Sequence, residues 1–280
     1  MRARRRVVGM RRPQRGPRGY GPTPVRSPMV GIWVLGVLTV MLAGGAMGYL
    51  GWSQYTRVDV DASTLCPSSG PTAVHAILLD QSDPITPIQA QRLGQTVDKV
   101  VEEATVGDRI DLYILTRDSA QALVPKLSLC RPKSEGSVWT ENPKRIHDRY
   151  IARFRQPLDE ALKLLMTPSP SQTSPIMESV KAVCVAAFGN LPRDVHAKLT
   201  IASDMIQFSR LLDHYKQRDF DTFLKTPGWN EVAADCHRAG VDVLYFTRPR
   251  DSRVQDRRHQ LFWERFFDRE NASLNRMETI

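Results

Sequence analysis

The pattern of apolar and polar positions divides the chain into two regimes. From Ser27 to Thr56 no residue is charged, and the 23 residues from Val30 to Trp52 are almost continuously apolar. A helix needs roughly 20 such residues to cross about 30 Å of hydrocarbon. One transmembrane helix is therefore expected over 30–52, followed by a polar linker over 53–72, rich in Ser, Pro and Asp. From Ala73 the runs become short and mixed. AVHAILL (Ala73 to Leu79) ends in Asp80 and reads as a buried central strand. Thr86-Pro87-Ile88-Gln89 combines a hydroxyl cap, a first-turn proline and a capping-box glutamine, so a helix starts there. Leu93, Val97, Val100, Val101 and Ala104 continue it at three-to-four spacing up to Gly107. RIDLYILT (Arg109 to Thr116) is a second strand and LVPKLSLC (Leu123 to Cys130) a third. The six residues between them are too few for a crossover helix, so the third strand is expected to be antiparallel and at an edge, where Pro125 is tolerated.

Residues 131–144 read as an irregular, charged excursion. Ile146 to Met166 carries Ile151, Phe154, Leu158, Leu162 and Leu165 on one side, a helix that Pro157 must kink or divide. A Ser/Pro/Thr loop leads into a helix from Pro175 to Phe188, stopped by Gly189. Lys198 to Met205 is expected as a strand, Asn230 to Arg238 as a helix, Val241 to Thr247 as a strand and Val254 to Glu270 as a closing helix. That helix places Leu261, Phe262, Trp263, Phe266 and Phe267 in the core. Strands interleaved with helices predict an α/β doubly wound, mostly parallel sheet with one antiparallel edge strand, in a domain spanning 73–280.

Composition changes this picture in one respect. With 41% apolar and 25% charged residues the chain is ordinary globular material, yet it carries a net +9. Residues 1–29 hold nine arginines and no acid; removing them from the 39 Lys+Arg leaves 30, equal to the 30 Asp+Glu. The basicity belongs to a tail too rich in Arg, Pro and Gly to fold. Such a tail stays in the cytoplasm and lies on anionic lipid headgroups, while the neutral remainder gives no argument for nucleic acid. The expected topology is an inner (plasma) membrane anchor with an extracytoplasmic, periplasmic domain. Trp33 at one end and Tyr49, Trp52 and Tyr55 at the other fit interfacial anchoring. The rival is a cleaved signal peptide using Gly44 and Ala46 as its small residues; the long basic region and the apolar run beyond that point favour the anchor. Gly44 and Gly48 form a GxxxG pair suited to a homodimer of such helices.

All four cysteines, Cys66, Cys130, Cys184 and Cys236, follow the span. In an oxidising compartment an even count allows two disulfides with three pairings, although Cys184, inside VKAVCVAAF, also reads as a small buried hydrophobe. His75, in the first strand, reads as a core histidine, and His237 beside Cys236 lacks a second ligand at metal spacing. No Walker A loop, HExxH, GxSxG or strand-preceded GxGxxG occurs.

Ligands sit at the carboxyl ends of strands in sheets of this kind. There the chain places LLDQSDP, SPIMESV and LTIASDM. From Ala73 to Arg269 it resembles the von Willebrand factor A-like (vWA) family, which sets DxSxS after its first strand, a Thr before a following helix and an Asp after a strand ending in SD. The resemblance implies a divalent cation, Mg²⁺ or Mn²⁺, held by Asp80, Ser82, Thr173 or Ser174, and Asp204. Pro84 stands where the family's second Ser belongs, so water must replace one oxygen ligand. The same residues also read as plain polar caps, with Ser174 capping the helix at Pro175. In either case two converging carboxylates repel unless a cation or a proton relieves them. The family's topology further implies pairing of Cys184 with Cys236 and of Cys66 with Cys130. The functional expectation is a non-catalytic protein-binding or scaffolding module that engages a partner carboxylate at the ion. Two alternatives remain: a structural subunit of an envelope secretion or conjugation assembly, and a metal-dependent hydrolase using Asp80 and Asp204. DQSD also resembles the aspartyl-phosphate loop of haloacid-dehalogenase-like phosphatases, but Ser82 stands where a second Asp is needed.

Overall fold

The computed structural model describes residues 28–55, 59–115, 123–136, 141–167 and 171–280. The reading of residues 1–27 as a basic tail lies outside them, as does Thr116 at the end of the expected second strand. Two compact units result, Met1–Arg57 and Val58–Ile280. The first is carried by one helix, α1 (Pro28–Tyr55), of which Gly31–Tyr49 is long and apolar enough to cross a membrane.

The second unit is built on β1 (Ala73–Asp80), β2 (Arg109–Leu115), β3 (Leu127–Cys130), β4 (His196–Ser203), β5 (Ala239–Tyr245) and β6 (Ala272–Thr279). They form one sheet in the order β3-β2-β1-β4-β5-β6, all parallel except the antiparallel edge strand β3. Because side chains alternate along a strand, β1 sends Val74, Ala76 and Leu78 into one apolar layer and Ile77 and Leu79 into the other. The second layer is covered by α2 (Pro87–Glu103), α3 (Pro143–Tyr150) and α4 (Gln156–Leu165). The first is covered by α5 (Ile176–Val183), α6 (Phe220–Phe223), α7 (Pro227–Val232) and α8 (Arg257–Arg269). This is the expected α/β doubly wound, mostly parallel sheet with one antiparallel edge strand.

Local chemistry explains most boundaries. Thr86 and Gln89 form a reciprocal capping box on α2. Pro157 lacks an amide and would clash with the carbonyl four residues back; the helix widens by one residue over Ile151–Arg155, so that the Gln156 amide bonds the Ile151 carbonyl, and α3 runs on into α4. Phe262, Trp263, Phe266 and Phe267 are fully buried, but Leu261, expected in the core with them, is exposed on the opposite side of α8 from the sheet.

Three expectations are corrected. The third strand is only four residues long, and Leu123 to Lys126 precede it as irregular chain. The helix expected over Asn230 to Arg238 runs instead from Pro227 to Val232: Ala233 leaves the helical region at ψ 132°, and further on His237 and Arg238 adopt positive φ (56° and 54°), so no helix resumes there. The chain also does not end in the closing helix, since β6 follows it. The alternation of β6 was hidden by a bulge at Asn275, which puts its inward residues Leu274 and Met277 three apart instead of two. Gly240 makes room for that bulge, because a Cβ there would fall 2.5 Å from Asn275 Nδ2.

Both disulfides are formed, Cys66–Cys130 and Cys184–Cys236. His75 is a core histidine whose Nε2 lies 3.7 Å from Asp108 Oδ2, and burial lowers its pKa.

Candidate functional site at the carboxyl edge of the sheet

Asp80, the last residue of β1, is buried at the carboxyl edge and has every oxygen engaged. Oδ1 accepts from the Ser82 amide at 2.9 Å; Oδ2 accepts from Ser203 Oγ at 2.7 Å and from Ser174 Oγ at 3.2 Å. Four of the five expected residues, Asp80, Ser82, Ser174 and Asp204, thus come to one edge. Thr173 does not join them: its amide bonds Ser171 Oγ at 3.2 Å, and the two hydroxyls lie 3.4 Å apart. Ser174 does not cap α5 either, because its hydroxyl is turned to Asp80. Gln207 serves that helix instead, its Oε1 accepting from the Met177 amide at 2.9 Å.

The turn after β4 is held from below. Met205 has φ +60°, unusual for a residue with a side chain. Its amide bonds Ser203 Oγ at 2.8 Å, while its carbonyl accepts from Trp263 Nε1 at 2.9 Å and from His259 Nε2 at 2.8 Å, both on α8. With Nε2 donating, His259 Nδ1 accepts from the Tyr245 hydroxyl at 2.6 Å, and His214 Nδ1 accepts from the Gln207 amide at 3.2 Å. Burial keeps both rings neutral, holding His259 near 4 and His214 well below its ordinary value. Neither Ser203 nor this histidine pair was singled out in the sequence. The SD ending of β4 carried the signal for Ser203, but the histidines come from separate segments that only the fold joins.

Asp204 faces the loop after β5. Its Oδ1 accepts from the Ile206 amide at 2.9 Å, and its Oδ2 lies 3.3 Å from Arg248 Nε. Burial and the neighbouring Asp80 carboxylate push the Asp204 carboxyl above its ordinary pKa, and the Arg248 guanidinium draws it back down. Arg248 Nη1 also donates to the Pro84 carbonyl at 2.7 Å. Gln255 locks this loop: Oε1 accepts from the Arg248 amide at 2.7 Å, and Nε2 donates to the carbonyls of Asp204 at 3.0 Å and Phe246 at 2.9 Å. Arg248 was missed because it lies outside the matched motifs, although its position just past a strand on this edge was a usable signal.

The donor set does not fit Mg²⁺ or Mn²⁺. A hard cation gathers about six oxygens, but here each carboxylate oxygen already has a protein donor, and position 84 offers only a carbonyl bonded to Arg248. The Arg248 guanidinium, itself a cation, already faces Asp204 Oδ2 at 3.3 Å. Among the described residues no group of three or more His, Cys, Asp and Glu is arranged to hold a metal.

Two aromatic side chains flank the cluster. Phe208 pairs its backbone with Ser174 in both directions, at 2.8 and 3.0 Å, and its ring is 40% exposed. Tyr215, 54% exposed, packs edge-on against it at 6.2 Å and donates to Asp251 Oδ1 at 3.2 Å.

The strand order and the antiparallel edge define the class as a doubly wound α/β domain with a mostly parallel six-stranded sheet. No family model matches the chain, and no curated protein matches it. Among solved structures the chain is similar to the vWA domain of SpRpn10, at 10% identity over 75% of this chain and 88% of that one, with a TM-score of 0.39.

Proposed function

We propose that this chain is a single-pass envelope protein whose vWA-like domain stands outside the cytoplasm and binds a protein partner without catalysing a reaction. The observation that carries the binding reading is the exposed Phe208–Tyr215 pair beside the carboxyl-edge cluster. Large aromatics held rigidly at a surface are the residues on which protein interfaces concentrate their energy. In the cluster next to them the Ser174 and Ser203 hydroxyls bond Asp80, and Asp204 is engaged by the Ile206 amide and Arg248, a framework that positions loops. The anchor is supported by the apolar span of α1, and the extracytoplasmic placement by two disulfides and by the arginines that precede the span. On this reading the tail rests on anionic headgroups, and Gly44 and Gly48 give α1 a face on which two copies pack.

The test uses full-length protein in membranes, with a photo-crosslinking residue at Asp83 or Arg250, exposed positions on the same edge. One discrete adduct is expected, reduced at least about tenfold in Phe208→Ala/Tyr215→Ala while thermal unfolding stays near that of the wild type; tenfold corresponds to about 1.4 kcal/mol, within the range of a hot-spot residue. An adduct that persists undiminished in the double variant overturns this face as the binding surface.

A further inference from the structure

We propose that Arg248 supplies the positive charge at the carboxyl-edge cluster, and that its guanidinium keeps divalent metal out of the place the vWA-like motif would give it. The two carboxylates on this edge, Asp80 and Asp204, need a cation or a proton between them and the solvent. The charge present is covalently attached. Arg248 Nε lies 3.3 Å from Asp204 Oδ2, Nη1 lies 2.7 Å from the Pro84 carbonyl, and both side chains of the ion pair are shielded, 14% exposed for Arg248 and 6% for Asp204. The planar guanidinium spans two acceptors at once. It thereby ties together the loops after β1, β4 and β5, the task a shared metal ion performs in a complete site.

Pro84 belongs to the same arrangement. Position 84 has no hydroxyl to offer an ion, and its carbonyl is used to orient the arginine. The arginine is oriented in turn by Gln255, which bonds the Arg248 amide and the Asp204 carbonyl. Motif and replacement are thus complementary: the ligand lost at 84 and the charge gained at 248 meet in one hydrogen bond. A tethered cation is not removed by chelators and needs no ion supply, so loop geometry here is independent of metal.

The test measures Mn²⁺ binding by electron paramagnetic resonance, with thermal unfolding in Mn²⁺ or in chelator as a second readout, on the disulfide-intact protein. Wild type and Pro84→Ser are expected to bind no Mn²⁺ at millimolar concentration and to unfold at the same temperature in chelator. Pro84→Ser/Arg248→Ala frees the Asp204 oxygen and restores the hydroxyl, so it is expected to bind Mn²⁺ and to gain several degrees on adding it; adding Asp204→Asn abolishes both effects. Arg248→Gln in the Pro84→Ser background is the second variant, keeping a polar side chain should the alanine fail to fold. Stoichiometric Mn²⁺ binding by the wild type overturns the proposal. So does a folded double variant that binds none, because something other than Arg248 then excludes the ion.

Discussion

Glu270 ends α8 with its side chain shut away from solvent: Oε2 accepts from the Ala234 amide at 2.7 Å, and Oε1 has no partner. Burial pushes this carboxyl up to about 7 from an ordinary 4.5, so between those values the folded chain holds a proton that the unfolded chain has released. Unfolding free energy from this group therefore falls as pH rises from 4.5 to 7. His259 acts in the opposite sense. Its folded value near 4 lies below the ordinary 6.5, so its contribution is present above 6.5 and is lost as pH falls through that window. Comparing Glu270→Gln with wild type cancels the histidine. The variant is expected to match wild type near the unfolded pKa and to exceed it at neutral pH by up to about 3 kcal/mol, read from urea unfolding at both values. A difference that does not change with pH overturns this account. At this scale the candidate site was partly legible. Asp80, Ser82 and Asp204 could be read toward one edge because short polar motifs close β1 and β4, and Ser174 because it stands just before α5. Thr173 was indistinguishable from Ser174 in sequence, since a one-residue step in a loop decides which hydroxyl turns inward. Gln207 and Gln255 were invisible because their partners lie in other segments, and of Arg248 only its place just past β5 could be read.

The elements were legible where one force decided them. The strands β1, β2, β4 and β5 are apolar runs buried on both faces, and α2 carries its own capping box, so local pattern and tertiary role agree. The chain after Val232 was misread because its conformation is set from elsewhere. Cys236 is tied to Cys184, the Cys236 amide bonds the Glu270 carbonyl at 2.8 Å, and two successive residues turn left-handed. The disulfides are thus fasteners between elements, one joining the widened end of α5 to the entry of β5, the other joining β3 to the chain before β1. Their separations of 52 and 64 residues imply stabilisation of about 4 kcal/mol each from loop closure in the unfolded chain. Cys184→Ala/Cys236→Ala and Cys66→Ala/Cys130→Ala are each expected to lower the unfolding temperature by many degrees. Cys66 is the one partly exposed sulfur residue of the four, so mild reductant without denaturant should open its bridge first, seen as alkylation of Cys66 and Cys130 ahead of the buried pair. Alkylation of Cys184 and Cys236 first would contradict this order.

For the whole molecule the question is on which side of a membrane the sheet domain stands. Nine arginines precede the apolar segment and no charge interrupts it until Arg57; on the proposed topology that asymmetry places the N-terminus in the cytoplasm and the following 220-odd residues outside it. The redox evidence points the same way without using charge. Two disulfides, one of them wholly buried, are the bonds expected of a chain on the proposed extracytoplasmic side, because such bonds persist where thiols are oxidised. A reporter active only outside the cytoplasm, fused after Ile280, is therefore expected to be active, and the full-length chain should stay in the membrane pellet after carbonate extraction. Replacing the arginines at 2, 4, 5, 6, 11 and 12 by Asn removes six of the nine charges and should lower the reporter signal, because the charge difference across the span is what orients it. Release of a shorter soluble species would show that residues 30–52 are a cleaved signal. A reporter active only in the cytoplasm would overturn the topology, and with it any partner sought on the outer side.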